Sequence, residues 1–314
     1  MDDTCILWIM LKRLVSFFVL SRPLFLLGGV LLYWLGISIL LYEGFEVNWL
    51  ISILGQFVVS GIQLMTHYLN DYWDIETDRQ TTHRTFFSGG SGVLPAGDLP
   101  RLVAMIAALV CLTVSLSLMA VLIVLYRVPF LSWLIFAVAA LGAYSYSSPA
   151  IKLAATGFGE LATACIVSLL VPGMAYSLQT GTLGGMLFLA CAPLIAINWA
   201  MIVTFQFPDY EADMSTGKET ILVRLGYLTT VRLHWSVTLG AFGLLLVGYL
   251  FGLPVTVAGL PGLTLPLALI EMTMVRKIAK GESARYGWLT FVAVTLLAAA
   301  SALELVGFLL SSLP

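Results

Sequence analysis

The residues from Asn70 to Asp78 read N-D-Y-W-D-I-E-T-D at the polar end of a long apolar run. Asn70, Asp74 and Asp78 recur at i, i+4 and i+8, so a helix stacks them on one face, with Asp71 beside it. A second cluster, Asp209-Tyr-Glu-Ala-Asp213, repeats the i, i+4 pairing and again ends an apolar run. Carboxylates this close repel one another unless a cation neutralises them. An all-oxygen donor set without a nearby Cys or His pair favours Mg²⁺, which takes a few carboxylates and fills its shell with phosphate and water. The pattern predicts two facing helix ends that hold metal through Asn70, Asp74, Asp78, Asp209 and Asp213 and clamp a diphosphate. Asp71 either joins that chemistry as a catalytic carboxylate or pairs with a basic residue. A solvated helix end accounts for one such cluster; two with matched spacing at the same end of their helices are poorly explained that way.

Cations and polar groups near these motifs are candidates for the rest of a site. Arg79 and Arg84 follow the first motif and suit bidentate contacts to phosphate. The stretch Ser88-Gly89-Gly90-Ser91-Gly92 can present backbone N–H groups to an anion, or can be plain flexible linker. Lys218 comes five residues after Asp213, within reach of the same diphosphate. Arg224 either does likewise or anchors a helix at the membrane surface, and Arg22 poses the same choice. Lys152 could reach a leaving group and is read as catalytic and diphosphate-binding. Tyr144 and Tyr146 either line a cavity or belong to an interfacial aromatic belt. His67 and Gln63, and likewise Asn198 and Gln206, sit inside apolar segments. At that depth they face a cavity or an acceptor, or make satisfied core hydrogen bonds. Glu304 falls near the middle of the last apolar segment and has no assigned role.

The elements that must position these residues follow from composition. Hydrophobic residues make up 60% of the 314 and charged ones 10%, against about 25% charged in soluble domains. With a mean hydropathy of +0.99, this is an integral membrane protein. The net charge of −2 and the lack of a basic run speak against nucleic acid as a partner. The four cysteines, Cys5, Cys111, Cys165 and Cys191, show no metal-ligand spacing. No small-residue cleavage site precedes the first long apolar run, which argues against a removable signal peptide. Windows long enough to cross a bilayer fall at about 20–41, 48–70, 100–125, 129–147, 158–179, 184–207, 229–251, 254–277 and 286–311. The expectation is an all-α membrane protein: a single domain over 1–314 with nine transmembrane helices around a central cavity. Of the fifteen Lys and Arg, all but Arg127 fall on the side that carries the acid motifs. The positive-inside rule makes that side, and the N-terminus, cytoplasmic, in what reads as a prokaryotic cell membrane.

These residues resemble the UbiA superfamily of intramembrane prenyltransferases. The family motif N-D-x-x-D-x-x-x-D is matched by Asn70, Asp71, Asp74 and Asp78, and D-x-x-x-D by Asp209 and Asp213. The resemblance covers nearly the whole chain. It implies a nine-helix bundle with a lateral opening to lipid and Mg²⁺-dependent transfer of an isoprenyl chain from its diphosphate to an aromatic or other lipophilic acceptor. The runs S-G-G-S-G-V-L, D-Y-E-A-D-x-x-x-G-K-E-T-I-L-V-R-L-G and K-L-A-A-T-G-F-G-E are most similar to the menaquinone branch, which prenylates 1,4-dihydroxy-2-naphthoate. The family pattern Y-x-x-x-K is not kept: Ser148 stands four before Lys152, and Tyr144 and Tyr146 are differently spaced.

Rival classes fit less well. A transporter or cation carrier places its acids near the bilayer midplane in broken helices, not at helix ends on one side. A phospholipid-forming phosphotransferase would open with D-G-x-x-A-R, absent here. A third alternative keeps the fold and changes the acceptor to a glycerol-phosphate lipid, a porphyrin, a chlorophyll precursor or 4-hydroxybenzoate.

Overall fold

Long runs of Leu, Val, Ile and Phe have no water in hydrocarbon to satisfy their backbone, and a helix does so within the segment itself. A computed structural model describes residues 3–282 and 285–312 of the chain, without the side chains of Asp3, Cys5 and Ile6. No strand occurs among the described residues. In chain order the main helices are α1 (Asp3–Leu20), α2 (Pro23–Tyr42), α3 (Trp49–Trp73), α4 (Ile75–Gln80), α5 (Arg101–Tyr126), α6 (Phe130–Ser147), α7 (Gly159–Thr180), α8 (Gly185–Ser215), α9 (Ile221–Leu250), α10 (Val255–Ala279) and α11 (Tyr286–Ser311). All except α1 and α4 are long and apolar enough to cross a membrane, nine among the described residues. Cys111, Cys165 and Cys191 carry free thiols.

The helices pack as a bundle in which α8 is the most enclosed. It lies between α9 and α11, α11 reaches α2, and α2 packs on the second half of α7, while α3 pairs with α5 on the opposite flank. The core is built from Leu32, Leu35, Ile39, Leu194, Ile197 and Phe308, each at most 2% exposed.

Four differences from the sequence windows have local causes. Residues before position 20 form α1, whose apolar run is broken by Lys12-Arg13 and so fails as a span. Its Leu7, Trp8, Leu11, Leu14 and Phe18 are exposed, as suits a helix against lipid. α7 contains a π-turn over Ile166–Leu170 just before Pro172, whose ring cannot donate to an α ladder. α9 begins at Ile221 rather than 229, because a first turn is joined to the main helix across Gly226, which has φ 69° and ψ 169°. α8 runs eight residues beyond the window's end at 207, to Ser215. At 1.5 Å per residue its 31 residues span about 46 Å, well over the ~30 Å hydrocarbon thickness, so its last turns emerge beyond the lipid tails. Those turns carry Asp209 and Asp213.

Candidate active site

The first motif does not continue as one straight helix. α3 ends at Trp73, and Asp74, with φ −88° and ψ 8°, joins it to the short α4. The i→i−4 bonds survive on both sides of the junction: Asp74 N–H donates to Asn70 O and Asp78 N–H to Asp74 O, each at 2.9 Å. Asn70, Asp74 and Asp78 therefore stay on related faces while the chain bends at Asp74. The second motif stays helical on α8, and the two ends meet. Ser215 Oγ donates to Gln80 Oε1 at 2.6 Å, and Thr77 Oγ1 to Thr216 Oγ1 at 3.4 Å.

Lys218 spans the gap between the motifs. Its Nζ lies 3.2 Å from Asp74 Oδ2, which also accepts from Asn70 Nδ2 at 2.8 Å. Burial alone would lower the Lys218 ammonium, but Asp74, Asp213 and Asp78 outweigh it and hold its pKa above the ordinary lysine value. Arg22, at the turn between α1 and α2 with φ 48°, pairs with Asp71. Burial works against its charge, but Asp71, Asp78 and Asp74 raise its pKa on balance.

Asp71 is thus the partner of a base. Its Oδ1 accepts from Arg22, and its Oδ2 from the Ser91 hydroxyl and from the Ser91 N–H at 3.2 Å. Both oxygens being engaged, it holds Arg22 and the glycine loop to the site. That loop lies over both motifs. Gly89, Gly90 and Gly92 have φ between 71° and 81°, the left-handed region. The Asp78 carboxylate packs against the Gly90 backbone where any Cβ would collide, and a Cβ on Gly89 would come within 3.2 Å of Asp209 Oδ1.

Two oxygens in this cluster, Asp78 Oδ2 and Asp209 Oδ1, are buried without a hydrogen-bond partner among the described residues. Burial pushes the Asp78 carboxyl up to about 7, Asp71 and Asp74 add to the effect, and Arg22 and Lys218 oppose it. An oxygen-only donor set with unmatched buried lone pairs fits a hard divalent cation. Among the described residues no three acids converge closely enough to cage an ion by themselves. A cation here must draw the rest of its shell from phosphate and water, as Mg²⁺ commonly does.

The remaining expected residues divide. Tyr146 lies within electrostatic range of Asp74, Asp213 and Arg22 and so belongs to the cluster. Arg84 touches it through the backbone, donating from Nε to Gly89 O at 2.7 Å and from Nη2 to Asp78 O at 2.5 Å. It shapes the glycine loop. His67 Nδ1 lies 3.1 Å from Ser21 O, one turn from Asp71. Asn198 donates to Ser168 Oγ at 2.9 Å in the bundle interior. Arg79 pairs with Glu76, and Arg224 with Glu219, all four side chains largely exposed. Tyr144 packs on Trp73, 47% exposed, and Lys152 is exposed at a left-handed turn. The structure does not bring Arg79, Arg224, Tyr144 or Lys152 into the acid cluster.

Two serine side chains contribute that the sequence does not mark, although the run Ser88–Gly92 is an expected anion-binding loop. Ser91 carries Asp71, and Ser147 accepts from Asn70 Nδ2 at 2.9 Å. A lone serine offers no signal in sequence, although the positive-φ glycines around Ser91 marked its loop. Beside that loop a cavity of about 570 Å³ opens between Trp8, Leu11 and Val15 of α1 and Arg84, Ser91 and Gly92.

The fold recurs in known structures. A UbiA homolog from Archaeoglobus fulgidus bound to GPP and Mg²⁺ matches with a TM-score of 0.66 at 16% identity, over 92% of this chain and 99% of that one. The apo UbiA homolog from Aeropyrum pernix K1 gives 0.69 at 15% identity, over 91% and 98%. A digeranylgeranylglyceryl phosphate synthase gives 0.56 at 18% identity, over 96% and 99%. At such identities these likenesses speak for the fold. None of the curated proteins matches the chain in sequence. The sequence model of the UbiA prenyltransferase family matches residues 29–292, a span that takes in both acid motifs and Lys218, so the chain belongs to that family.

Proposed function

We propose that the protein transfers an isoprenyl chain from its diphosphate to an aromatic quinone-precursor acceptor within the membrane, with Mg²⁺ as cofactor and release of diphosphate. The observation that carries this reading is the pair of acid-bearing helix ends at one end of the bundle, with Lys218 between them, Arg22 on the first, and two buried carboxylate oxygens left unmatched. The A. fulgidus homologs bound to GPP or DMAPP and Mg²⁺ support the choice of ligand.

In this reading Asn70, Asp74, Asp78, Asp209 and Asp213 hold the metal directly or through water. Bound Mg²⁺ supplies Lewis-acid neutralisation of the leaving diphosphate. Lys218 leaves Asp74 for a diphosphate oxygen, and Arg22, kept in place by Asp71, stabilises the same growing charge. The glycine loop closes the site over Asp78 and Asp209. Tyr146, in the last turn of α6 beside Ser147, which accepts from Asn70, stands where an electron-rich ring would meet the allylic carbon. The apolar bundle keeps water from that carbon until the ring attacks. As the C–O bond to diphosphate breaks and the new C–C bond forms, the attacking ring carbon loses its proton, or its carboxylate as CO2, to restore aromaticity. Since Arg79 and Arg224 are paired at the surface, they serve loop structure in this reading and not the diphosphate. Runs S-G-G-S-G-V-L and K-L-A-A-T-G-F-G-E favour a 1,4-dihydroxy-2-naphthoate acceptor. The basic residues favour a cytoplasmic active site in a prokaryotic cell membrane.

Purified protein is to be incubated with labelled farnesyl and geranylgeranyl diphosphates, Mg²⁺ and a panel of acceptors including 1,4-dihydroxy-2-naphthoate, 4-hydroxybenzoate and a glycerol phosphate. Prenylated naphthoate, abolished by EDTA, is expected. Transfer to glycerol phosphate alone would reassign the acceptor, and transport of Mg²⁺ without turnover would end the enzyme reading. Asp74→Ala and Asp209→Ala should each lower kcat by about a thousandfold or more while the protein stays folded, as judged by circular dichroism.

A further inference from the structure

The loop 216–220 carries Lys218 to Asp74; its α8 end is held by the Lys218 N–H on Asp213 O at 2.9 Å, and its α9 end by a buried carboxylate outside both acid motifs. Glu160, in the first turn of α7, is 3% exposed. Its Oε1 accepts from Gln206 Nε2 at 2.5 Å and from the Ile221 N–H at 3.1 Å. Gln206 in turn accepts the Leu222 N–H on its own Oε1 at 2.9 Å. A helix begins with N–H groups that lack an intrahelical partner, usually served by the N-cap side chain. Here Thr220 makes no such bond, and two of α9's first donors are served instead from α7 and α8. A carboxylate at a helix N-terminus is also favoured by the helix dipole.

The same seam has other stitches. Glu219 N–H donates to Ala155 O at 3.2 Å. A Cβ on Gly157 would come within 3.3 Å of Arg224 Cδ, so the two loops lie in close contact. The segment after α6 and the segment after α8 therefore act as one strap. Glu160 lies within electrostatic range of Asp213 and Tyr146, beside the site.

We propose that Glu160, acting with Gln206, is a positioning residue for diphosphate binding: by tying the first amides of α9 to α7 and α8, it sets where Lys218 Nζ stands. The inference rests on reading the site as a diphosphate site. Lys218 is three residues from Ile221, so loss of α9's first turn would move its ammonium by several ångströms, farther than a charge-assisted hydrogen bond tolerates.

The test uses the full chain in detergent, with Mg²⁺ and inorganic pyrophosphate as the probe. Calorimetry gives affinity, and hydrogen exchange of the 216–224 segment gives the state of the strap. Glu160→Ala is expected to weaken pyrophosphate by about tenfold, the worth of one charge-assisted contact, with faster exchange at Ile221 and Leu222. Lys218→Ala should cost as much, and the double variant no more than Lys218→Ala alone. Glu160→Gln, which keeps an acceptor for the Ile221 N–H, should recover most of the loss. Should Glu160→Ala not fold, Gln206→Ala takes its place in the same cycle, with the same expectation. Parent-like affinity in the Ala variant, or losses that add in full, would overturn the positioning role. If pyrophosphate does not bind the parent at all, the diphosphate reading falls, and the exchange data still report whether Glu160 holds α9.

Discussion

Asp78 is 6% exposed, faces Gly90 and has one oxygen unmatched among the described residues. Its carboxyl, pushed by burial to about 7, binds a proton more tightly in the folded chain than in the unfolded one. Its contribution to stability is therefore complete below the usual carboxylate range and is lost as pH rises through about 7. Without metal, the thermal midpoint should fall as pH rises from 5 to 8, and Mg²⁺ with pyrophosphate should flatten that slope. Because the metal must displace the proton, pyrophosphate affinity should drop by up to about tenfold per pH unit below 7. Calorimetry in buffers of different ionisation enthalpy would show the released proton, and a pH-independent affinity between 5 and 8 would refute this. Gly90 provides a second residue-scale check. Gly90→Ala forces a side chain into the left-handed region, at a cost of about 1–2 kcal/mol, and into the Asp78 carboxylate. Turnover should fall by at least about tenfold and the unfolding midpoint by a few degrees; full activity would show that the loop does not close on Asp78.

At the scale of elements, the bundle uses buried polar clasps outside the acid cluster. Thr204 of α8, His234 of α9 and Glu271 of α10 are each at most 1% exposed. Thr204 Oγ1 donates to Glu271 Oε1 at 2.7 Å, and His234 Nε2 lies 3.2 Å from the same oxygen. Leaving a buried polar group unpaired costs on the order of 1–3 kcal/mol. Glu271→Ala removes the acceptor shared by Thr204 Oγ1 and His234 Nε2, leaving these two, 3.1 Å apart, with only each other, and should lower the unfolding midpoint while sparing pyrophosphate affinity. Loss of binding at an unchanged midpoint would instead tie the clasp to the site. Glu304 of α11 shows the opposite arrangement, fully buried with neither oxygen partnered among the described residues. The sequence marks Glu304 as an acid near the middle of an apolar segment, but gives no such signal for Glu271 or for His234. His234 and Glu271 lie 37 residues apart, and no local pattern links them.

For the whole molecule, the connectivity places both acid motifs at one end of nine spans, and the Lys218–Asp74 pair joins them there. All Lys and Arg except Arg127 fall toward that end by chain order, which predicts a cytoplasmic site. Single cysteines placed at Glu219 and at Gly44, in a background with the four native cysteines replaced, should label from opposite sides of intact inverted and right-side-out vesicles. Labelling from the same side would reject the topology.

What the sequence determined by itself is what depends on local pattern. Apolar runs of bilayer length can only be helices, so the number of spans was legible, and most of their ends to within a few residues, the end of α8 and the start of α9 excepted. Acids at helical spacing at the ends of such runs marked the chemistry. Tertiary structure alone decided which cations meet those acids. Arg22 and Arg79 are equivalent in composition, yet Arg22 is buried against Asp71 while Arg79 turns to Glu76 at the surface. Likewise Lys218 meets Asp74 whereas Lys152 remains exposed. The break at Gly226, the bend at Asp74 and the cap from Glu160 also escaped the sequence, because each depends on groups brought close only by packing. Helix formation is settled by neighbours a few residues away, but the partner of a buried charge is chosen by whichever segments the bundle presses together.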